Sequence, residues 1–393
     1  MNPNTLQLAL FYVALLYTLL AAITAWGARR TSKGNSQYEP SASIIVVARN
    51  EENTLADCLK SLKNLNYPQE KLEFVLVNDR SSDRTEQIMV DFVQSTPNAK
   101  MITIKRDPLS LTGKASGLAK GVQNSTGELL LFTDGDCIVP PTWIRTTAQG
   151  YDNRTGLLGG FLLLDKKGEK NPLFSRLQSI DWIYITTVGS AWTNLGCPMS
   201  VFGNNLSIRR EVYEKIGGFE SVGNHITEDF ALTRNVSRNT NCHVRILLDP
   251  QNTVHTKPAR NVKEFFNQRK RWAIGARSYG ILPSILMGTT FLAHLMVFLL
   301  FLSGIFQAAL LGILVLLFSD LLLLYHPLKT LKRLDLLKFF FLYEIFYFGY
   351  TLFFAPVFLF ARRVTWKDTT YRRKNRQTPK SKNKRQPEEL KRS

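Results

Sequence analysis

The chain has 393 residues, 50 Lys and Arg against 31 Asp and Glu, a formal charge of +19, and 45% hydrophobic residues. That hydrophobic share excludes a disordered chain. The four cysteines, Cys58, Cys137, Cys197 and Cys242, lack C-x-x-C spacing, so they read as free thiols in a reducing compartment rather than a disulfide framework or zinc site. The excess charge lies outside 39–256, where 23 basic residues meet 24 acidic ones, which speaks against a general nucleic-acid binder.

In chain order, Met1 to Ala28 has no charged side chain, and Leu6–Trp26 is long enough for one membrane span. It lacks the basic n-region and short apolar core of a signal peptide, so residues 1–28 read as an uncleaved anchor. Arg29, Arg30 and Lys33 follow, which places the amino terminus outside and the next domain in the cytoplasm.

Residues 40–256 then alternate strand and helix patterns. Ser43–Ala48, Leu72–Val77, Met101–Ile104 and Leu129–Phe132 are short apolar runs, rich in β-branched residues. Helical spacing covers Leu55–Leu65, a segment from Thr85, and Lys114–Val122. This order predicts an α/β domain with a mostly parallel sheet covered on both faces. Ligands bind at the carboxyl ends of such strands, and there the sequence places Glu51, then Asp79 and Asp83, then Asp134 and Asp136. Carboxylates one residue apart suit a hard divalent cation that keeps water and phosphate ligands. Neither a P-loop nor a G-x-G-x-x-G fingerprint follows the first strand. The aromatic stretch Leu173–Trp192 reads as a helix packed into the domain, or lining an acceptor path.

Residues 257–277 hold seven basic residues and one acidic one. Gln268, Arg271 and Trp272 stand at i, i+3 and i+4, on one face of a helix. With Val262, Phe265 and Phe266 among lysines and arginines, this helix also fits the headgroup layer of a membrane. Three apolar segments follow within 278–361: Leu282–Leu302 and Ile305–Tyr325, split by a hairpin near Ser303-Gly304, and Phe339–Ala361. Three further crossings would export the tail, 362–393, against the positive-inside rule, since it holds 13 basic and 3 acidic residues. The reading therefore leans to a cytoplasmic tail, with Phe339–Ala361 re-entering or lying along the interface. The tail itself reads as disordered and drawn to anionic lipid. His294, Asp320 and Glu344 are the polar groups at membrane depth, expected near span ends as interfacial residues.

Six ordered motifs carry a resemblance. They are Ala48-Arg-Asn-Glu51, Val77-Asn-Asp-Arg-Ser-Ser-Asp83, Gly113-Lys-Ala115, Thr133-Asp-Gly-Asp136, Thr227-Glu-Asp229 and Gln268-Arg-Lys-Arg-Trp272. Between apolar flanks, this series resembles membrane-bound family 2 glycosyltransferases, such as the synthases of cellulose, hyaluronan and poly-N-acetylglucosamine. The chain departs from the pattern in Val-Asn-Asp for the commoner Asp-Asp, and in Ala119 where Asn is frequent.

The resemblance implies a GT-A-type nucleotide-sugar-binding domain and an inverting transfer from a nucleotide diphosphate sugar, UDP-linked, with Mg2+ or Mn2+. Glu51 and Asp79 then contact ribose and base, with Lys114 a further nucleotide or phosphate contact. Asp134 and Asp136 hold the metal on the diphosphate, and Asp229 is the base. Gln268 and Arg271 face the pyrophosphate, Trp272 stacks on an acceptor sugar, and Asn204 or Asn205 contacts sugar hydroxyls. A growing β-linked polysaccharide is the acceptor that Q-x-x-R-W fits best. Export of such a polymer through four apolar segments points to a partner subunit or homo-oligomer. The alternative acceptors are a polyprenyl phosphate or a ceramide- or diacylglycerol-type lipid. A non-catalytic nucleotide-binding protein is the reading from another class. The expected location is the plasma or inner membrane.

Overall fold

The computed structural model describes residues 3–30, 34, 37–106, 111–164, 172–199, 202–225, 227–276, 281–360, 363–366 and 369–372. The long apolar helix α1 (Pro3–Ala28) precedes β1 (Ala42–Ala48), α2 (Leu55–Lys63), β2 (Leu72–Asp79), α3 (Thr85–Gln94) and β3 (Ala99–Ile104). Next come α4 (Gly113–Gln123), β4 (Leu129–Asp134), α5 (Trp143–Gln149), β5 (Thr155–Gly160), β6 (Leu162–Leu164) and the 23-residue α6 (Pro172–Asn194). The domain closes with β7 (Leu206–Arg209), α7 (Arg210–Lys215), α8 (Gly218–Val222), α9 (Glu228–Asn239), β8 (His243–Leu247), β9 (Val254–Thr256) and α10 (Val262–Ala276). Three apolar helices follow, α11 (Ile281–Leu302), α12 (Phe306–Thr330) and α13 (Phe340–Phe360), then a hairpin of β10 (Arg363–Trp366) and β11 (Thr369–Arg372).

Seven strands form one sheet in the order β3-β2-β1-β4-β7-β5-β8. All neighbours run parallel except β7, which is antiparallel to both β4 and β5. Parallel strands need apolar residues on both faces because helices cover both, and β1, β2 and β4 are buried almost throughout. The register pairs Ala48 with Asn78 and Val47 with Asp134. The carboxyl ends of β1, β2 and β4 are therefore level, and the loops bearing Glu51, Asp79 and Asp134 leave the sheet side by side.

Helix α4 lies close to this sheet because it has glycine where it meets β1. A Cβ at Gly121 would stand 2.5 Å from Ile45 Cγ2, and one at Gly117 2.6 Å from Val47 Cγ1. Both neighbours are β-branched and stiff. Gly121→Val is expected to cost roughly 1–3 kcal/mol by overpacking, seen as a lowered thermal unfolding midpoint of the detergent-solubilised protein.

Among the described residues, four helices are long and apolar enough to cross a membrane: α1, α11, α12 and the segment Leu334–Phe354, which includes most of α13. The hairpin expected at Ser303-Gly304 is present. Gly304 takes φ +74°, and Ile305 N–H and Gly304 N–H close back on the carbonyls of Leu300 and Phe301, the C-terminal arrangement that glycine favours.

Helix α13 runs along the catalytic domain. Phe346 and Tyr350 each lie 5.7 Å from Phe265 of α10, Phe354 lies 5.2 Å from Phe266, and Tyr347 lies 5.1 Å from Tyr184 of α6. Strand β10 also contacts α10. The first part of the expected disordered tail is thus a hairpin against α10, held by cross-strand backbone pairing; residues 373–393 lie outside the described residues.

His294, Asp320 and Glu344 are buried inside the protein rather than exposed on its surface. They are 1%, 0% and 8% exposed. Tyr17 Oη of α1 donates to Asp320 Oδ1 at 2.6 Å, and His294 Nδ1 lies 2.8 Å from the Thr290 carbonyl. Hydropathy along the chain placed them near span ends, but packing of α1, α6, α12 and α13 turns them inward.

Candidate active site

The site lies where β1, β2 and β4 end, beneath α9 and α10. From β4, Asp134 Oδ1 accepts from Lys114 Nζ at 2.6 Å, and the same ammonium is 3.7 Å from Glu228 Oε1 at the start of α9. Burial works against the Lys114 charge, but Asp134 and Glu228 more than offset it and hold it above the usual lysine range. Lys114 is therefore a charged bridge between two acidic loops, not a solvated helix lysine.

Asp136 is half-buried, and burial, then Asp134 and Glu51, push its carboxyl up to about 6. Asp134 and Glu51 both act repulsively on Asp136, and a cation relieves repulsion between carboxylates. The donor set thus fits a divalent ion held by Asp134 and Asp136, with open positions for phosphate oxygens. Among the described residues, no group of three or more His, Cys, Asp or Glu lies close enough together to hold a metal ion by protein ligands alone. All four cysteines are free, and Cys58 and Cys137 are buried.

Asp229, the second residue of α9, is fixed by two backbone donors, Phe230 N–H to Oδ1 at 2.7 Å and Gly203 N–H to Oδ2 at 2.8 Å. Burial raises its carboxyl, against Lys114, these two N–H groups and Arg271. A carboxylate with raised proton affinity, fixed in direction, suits a general base. A Cβ at Gly203 would stand 3.1 Å from Asp229 Cβ and 3.2 Å from Oδ2. Gly203→Ala is expected to displace the Asp229 carboxylate and, if that group is the base, to lower the rate at saturating donor about tenfold, with the unfolding midpoint little changed. An unaltered rate separates this loop from the chemistry.

The remaining expected residues divide. Glu51 accepts from Thr54 Oγ1 and acts on Asp136 across the strand ends. Asp79 is buried, and its Oδ1 is held by Arg80 at 2.8 Å. Asp83 braces the same loop through the N–H groups of Glu52 and Thr85. Asn204 is half-buried beside Cys137. Asn205 is turned into the core: Trp143 Nε1 donates to its Oδ1, and its Nδ2 serves the Phe161 and Asn252 carbonyls. With those bonds made it supports the scaffold rather than a sugar.

Gln268, Arg271 and Trp272 sit half-buried on α10, and Arg271 acts electrostatically on both Glu228 and Asp229. The Trp272 ring meets Trp182 edge-on at 5.0 Å and Phe202 at 5.9 Å, and Arg269 lies 4.2 Å over one face. Arg269, expected among headgroups, is instead 2% exposed and paired with the fully buried Asp181 of α6. Neither partner of this pair stood out in the sequence. The signal available was a lone acid inside the apolar run Ile180–Tyr184.

Asp229, Phe202 and Trp272 also form one end of a cavity of about 680 Å³. Its walls continue between α1, α6, α11 and α13, through Leu20, Ala21, Ile185, Val188, Pro283 and Phe354.

The chain is similar to known glycosyltransferases in sequence and in fold. The profile of Glycosyl transferase family 21 matches residues 7–378. A Synechocystis protein described as beta-monoglucosyldiacylglycerol synthase is 25% identical over 238 residues, covering 60% of this chain and 48% of its own. A Staphylococcus epidermidis poly-beta-1,6-N-acetyl-D-glucosamine synthase is 22% identical over 244 residues, covering 62% and 56%. The chain thus spans about half the length of these curated relatives. Among solved structures, the Pyrobaculum calidifontis mannosyltransferase PcManGT, in complex with GDP-Man and Mn2+, superposes with a TM-score of 0.60 at 16% identity, over 90% of this chain and 99% of that one. The fold is of the GT-A type.

Proposed function

The chain belongs to glycosyl transferase family 21, and from that premise we propose that this glycosyltransferase moves a sugar from a nucleotide diphosphate sugar, UDP-linked, onto a hydroxyl of a membrane lipid. The observation that carries the acceptor class is the apolar cavity leading away from Asp229. A lipid chain fills such walls and gains the free energy of burial, whereas a polysaccharide would leave its hydroxyls without partners there. The diacylglycerol-directed relative supports the same reading; the polymer synthase keeps the other in view.

The chemistry follows from the residues. Glu51 and Asp79 offer acceptors for ribose and base at the ends of β1 and β2. Asp134 and Asp136 would hold Mg2+ or Mn2+, which when bound supplies Lewis-acid stabilisation of the departing diphosphate. The Mn2+ seen with the archaeal mannosyltransferase supports that choice. Lys114 and Arg271 bring positive charge towards the same side, Arg271 with a fork suited to phosphate oxygens. Asp229 Oδ2 or Oδ1 takes the proton of the lipid hydroxyl as that oxygen attacks the anomeric carbon in line, inverting it. The catalytic domain then faces the cytoplasm. The +3 cluster after α1 supports that side, as does β10, at the start of the basic segment, lying against α10.

Purified protein with labelled UDP-sugars and diacylglycerol-type lipid in mixed micelles is expected to give one lipid-extractable product, lost with chelator and restored by Mn2+. A water-soluble ladder formed without lipid would overturn the acceptor assignment. Release of diphosphate unaffected by chelator would overturn the metal.

A further inference from the structure

We infer that Lys114 and the divalent cation are alternative partners of Asp134, and that Glu228 receives the lysine when the cation takes the carboxylate. This rests on the nucleotide-sugar reading and on the fit of Asp134 and Asp136 to a metal. Lys114 Nζ stands 2.6 Å from Asp134 Oδ1 and 3.7 Å from Glu228 Oε1. One ammonium thus lies between an acid suited to a cation and the acid that immediately precedes Asp229.

The two partners of Asp134 exclude each other. A hard dication binds through carboxylate oxygens, and Lys114 takes one of the two that Asp134 offers. An ammonium and a dication on one carboxylate also repel each other with twice the energy of two unit charges at that distance. Water screens this only in part, because the side chains of Lys114 and Asp134 are 33% and 31% exposed and that of Glu228 is 15% exposed.

The alternative position is close. Closing the 3.7 Å gap to Glu228 into a charge-assisted hydrogen bond takes a movement of about 1 Å. Lysine makes such a move with its flexible stem. Helix α4 stays in place, since Ala115, Leu118 and Ala119 hold it in the core. Bound to Glu228, the ammonium keeps donors for diphosphate oxygens. A cation that arrives alone displaces Lys114 from Asp134 with only Glu228 in exchange. A cation that arrives with a diphosphate brings the lysine a new anionic partner. Metal and nucleotide therefore bind cooperatively through a side chain of this chain. Glu228 touches neither donor nor acceptor in this scheme and is a positioning residue for Lys114.

The test measures Mn2+ binding to the full-length protein in detergent, from the EPR signal of free Mn2+, with and without UDP. Lys114→Met is expected to bind Mn2+ alone about tenfold to a hundredfold more tightly than wild type, the range of a hydrogen bond to a charged group. At saturating Mn2+ the same variant is expected to bind UDP about tenfold more weakly. Arg271→Met removes a charge that also acts on Glu228 and Asp229 but frees no oxygen of Asp134. It is expected to leave the affinity for Mn2+ alone within about threefold. Glu228→Gln is expected to weaken Mn2+ binding about tenfold in the wild-type background and less than about threefold beside Lys114→Met, a coupling that a double-mutant cycle reads directly.

If Lys114→Met binds Mn2+ no more tightly than wild type, Asp134 serves both cations at once and the exchange is overturned. Equal tightening by Arg271→Met overturns it as well, because a general field then accounts for both. Equal loss from Glu228→Gln in the two backgrounds removes Glu228 as the receiving acid. Unfolding midpoints report that the variants are folded, and Lys114→Gln decides where Lys114→Met is not. Mn2+ bound by no form, with or without UDP, removes the metal reading itself, whereas Mn2+ bound equally by all forms removes only the exchange.

Discussion

Asp229→Asn is expected to lower turnover about a thousandfold, the middle of the range for general-base catalysis, while donor affinity changes by no more than a few-fold. The substitution is nearly isosteric, and an Asn carbonyl oxygen can still accept from Gly203 or Phe230, which donate at 2.8 Å and 2.7 Å. What is lost is proton affinity. Burial raises the native carboxyl above its ordinary range, so it is a better base than a solvated aspartate, whereas an amide oxygen has almost no basicity at neutral pH. On the proposed mechanism the donor is gripped elsewhere, by the strand-end acids and Lys114. Single-turnover rates beside a donor titration separate the two quantities. Turnover within tenfold of wild type removes Asp229 as the base, and a parallel loss of donor affinity moves it into the donor site.

Breaking the Asp181–Arg269 pair has the largest expected effect on stability. Asp181→Leu leaves an arginine that is 2% exposed with no counter-charge, and removing one member of a buried pair costs about 3–5 kcal/mol. Replacing both residues by apolar ones of similar volume removes the desolvation cost along with the attraction, so the double variant is expected to lie within about 1 kcal/mol of wild type, or above it. Unfolding midpoints of the single and double variants measure this. A single variant as stable as wild type shows that Arg269 finds water or another acceptor. A double variant as unstable as the single shows that the apolar side chains do not fill the gap.

The parts of the protein legible in its sequence are those whose signal is local. Ile44 to Val47, Phe74 to Val77 and Leu129 to Phe132 are apolar without alternation because they sit in the middle of a parallel sheet, and the acids after them end strands at one level. Lys114 with Asp134, and Gln268, Arg271 and Trp272 on one helix, follow from short motifs. The hidden parts depend on packing between distant segments. Gly203 reaches Asp229 only because antiparallel β7 inserts between β4 and β5. The neighbouring asparagines show how a turn signal can mislead: Asn204 and Asn205 read alike in sequence, yet Asn205 spends its hydrogen bonds on the core. Asp181 meets Arg269 across 88 positions, a contact made by docking α10 on α6. The burial of His294, Asp320 and Glu344 is hidden for the same reason, since nothing in a hydropathy profile says which face of a span meets another helix.

On the proposed lipid acceptor, the walls of the cavity alter how the enzyme experiences concentration. Met287 of α11 lines it, yet is 41% exposed on the outside of the helix bundle, so the cavity borders the lipid laterally. A substrate arriving through that border diffuses in two dimensions, and its supply is a mole fraction rather than a molarity. Diluting the acceptor with inert lipid at constant total acceptor then slows the reaction, while diluting the vesicles with buffer does not. The water-soluble donor obeys the opposite rule, so the bilayer and the aqueous phase would each set one axis of the same rate law.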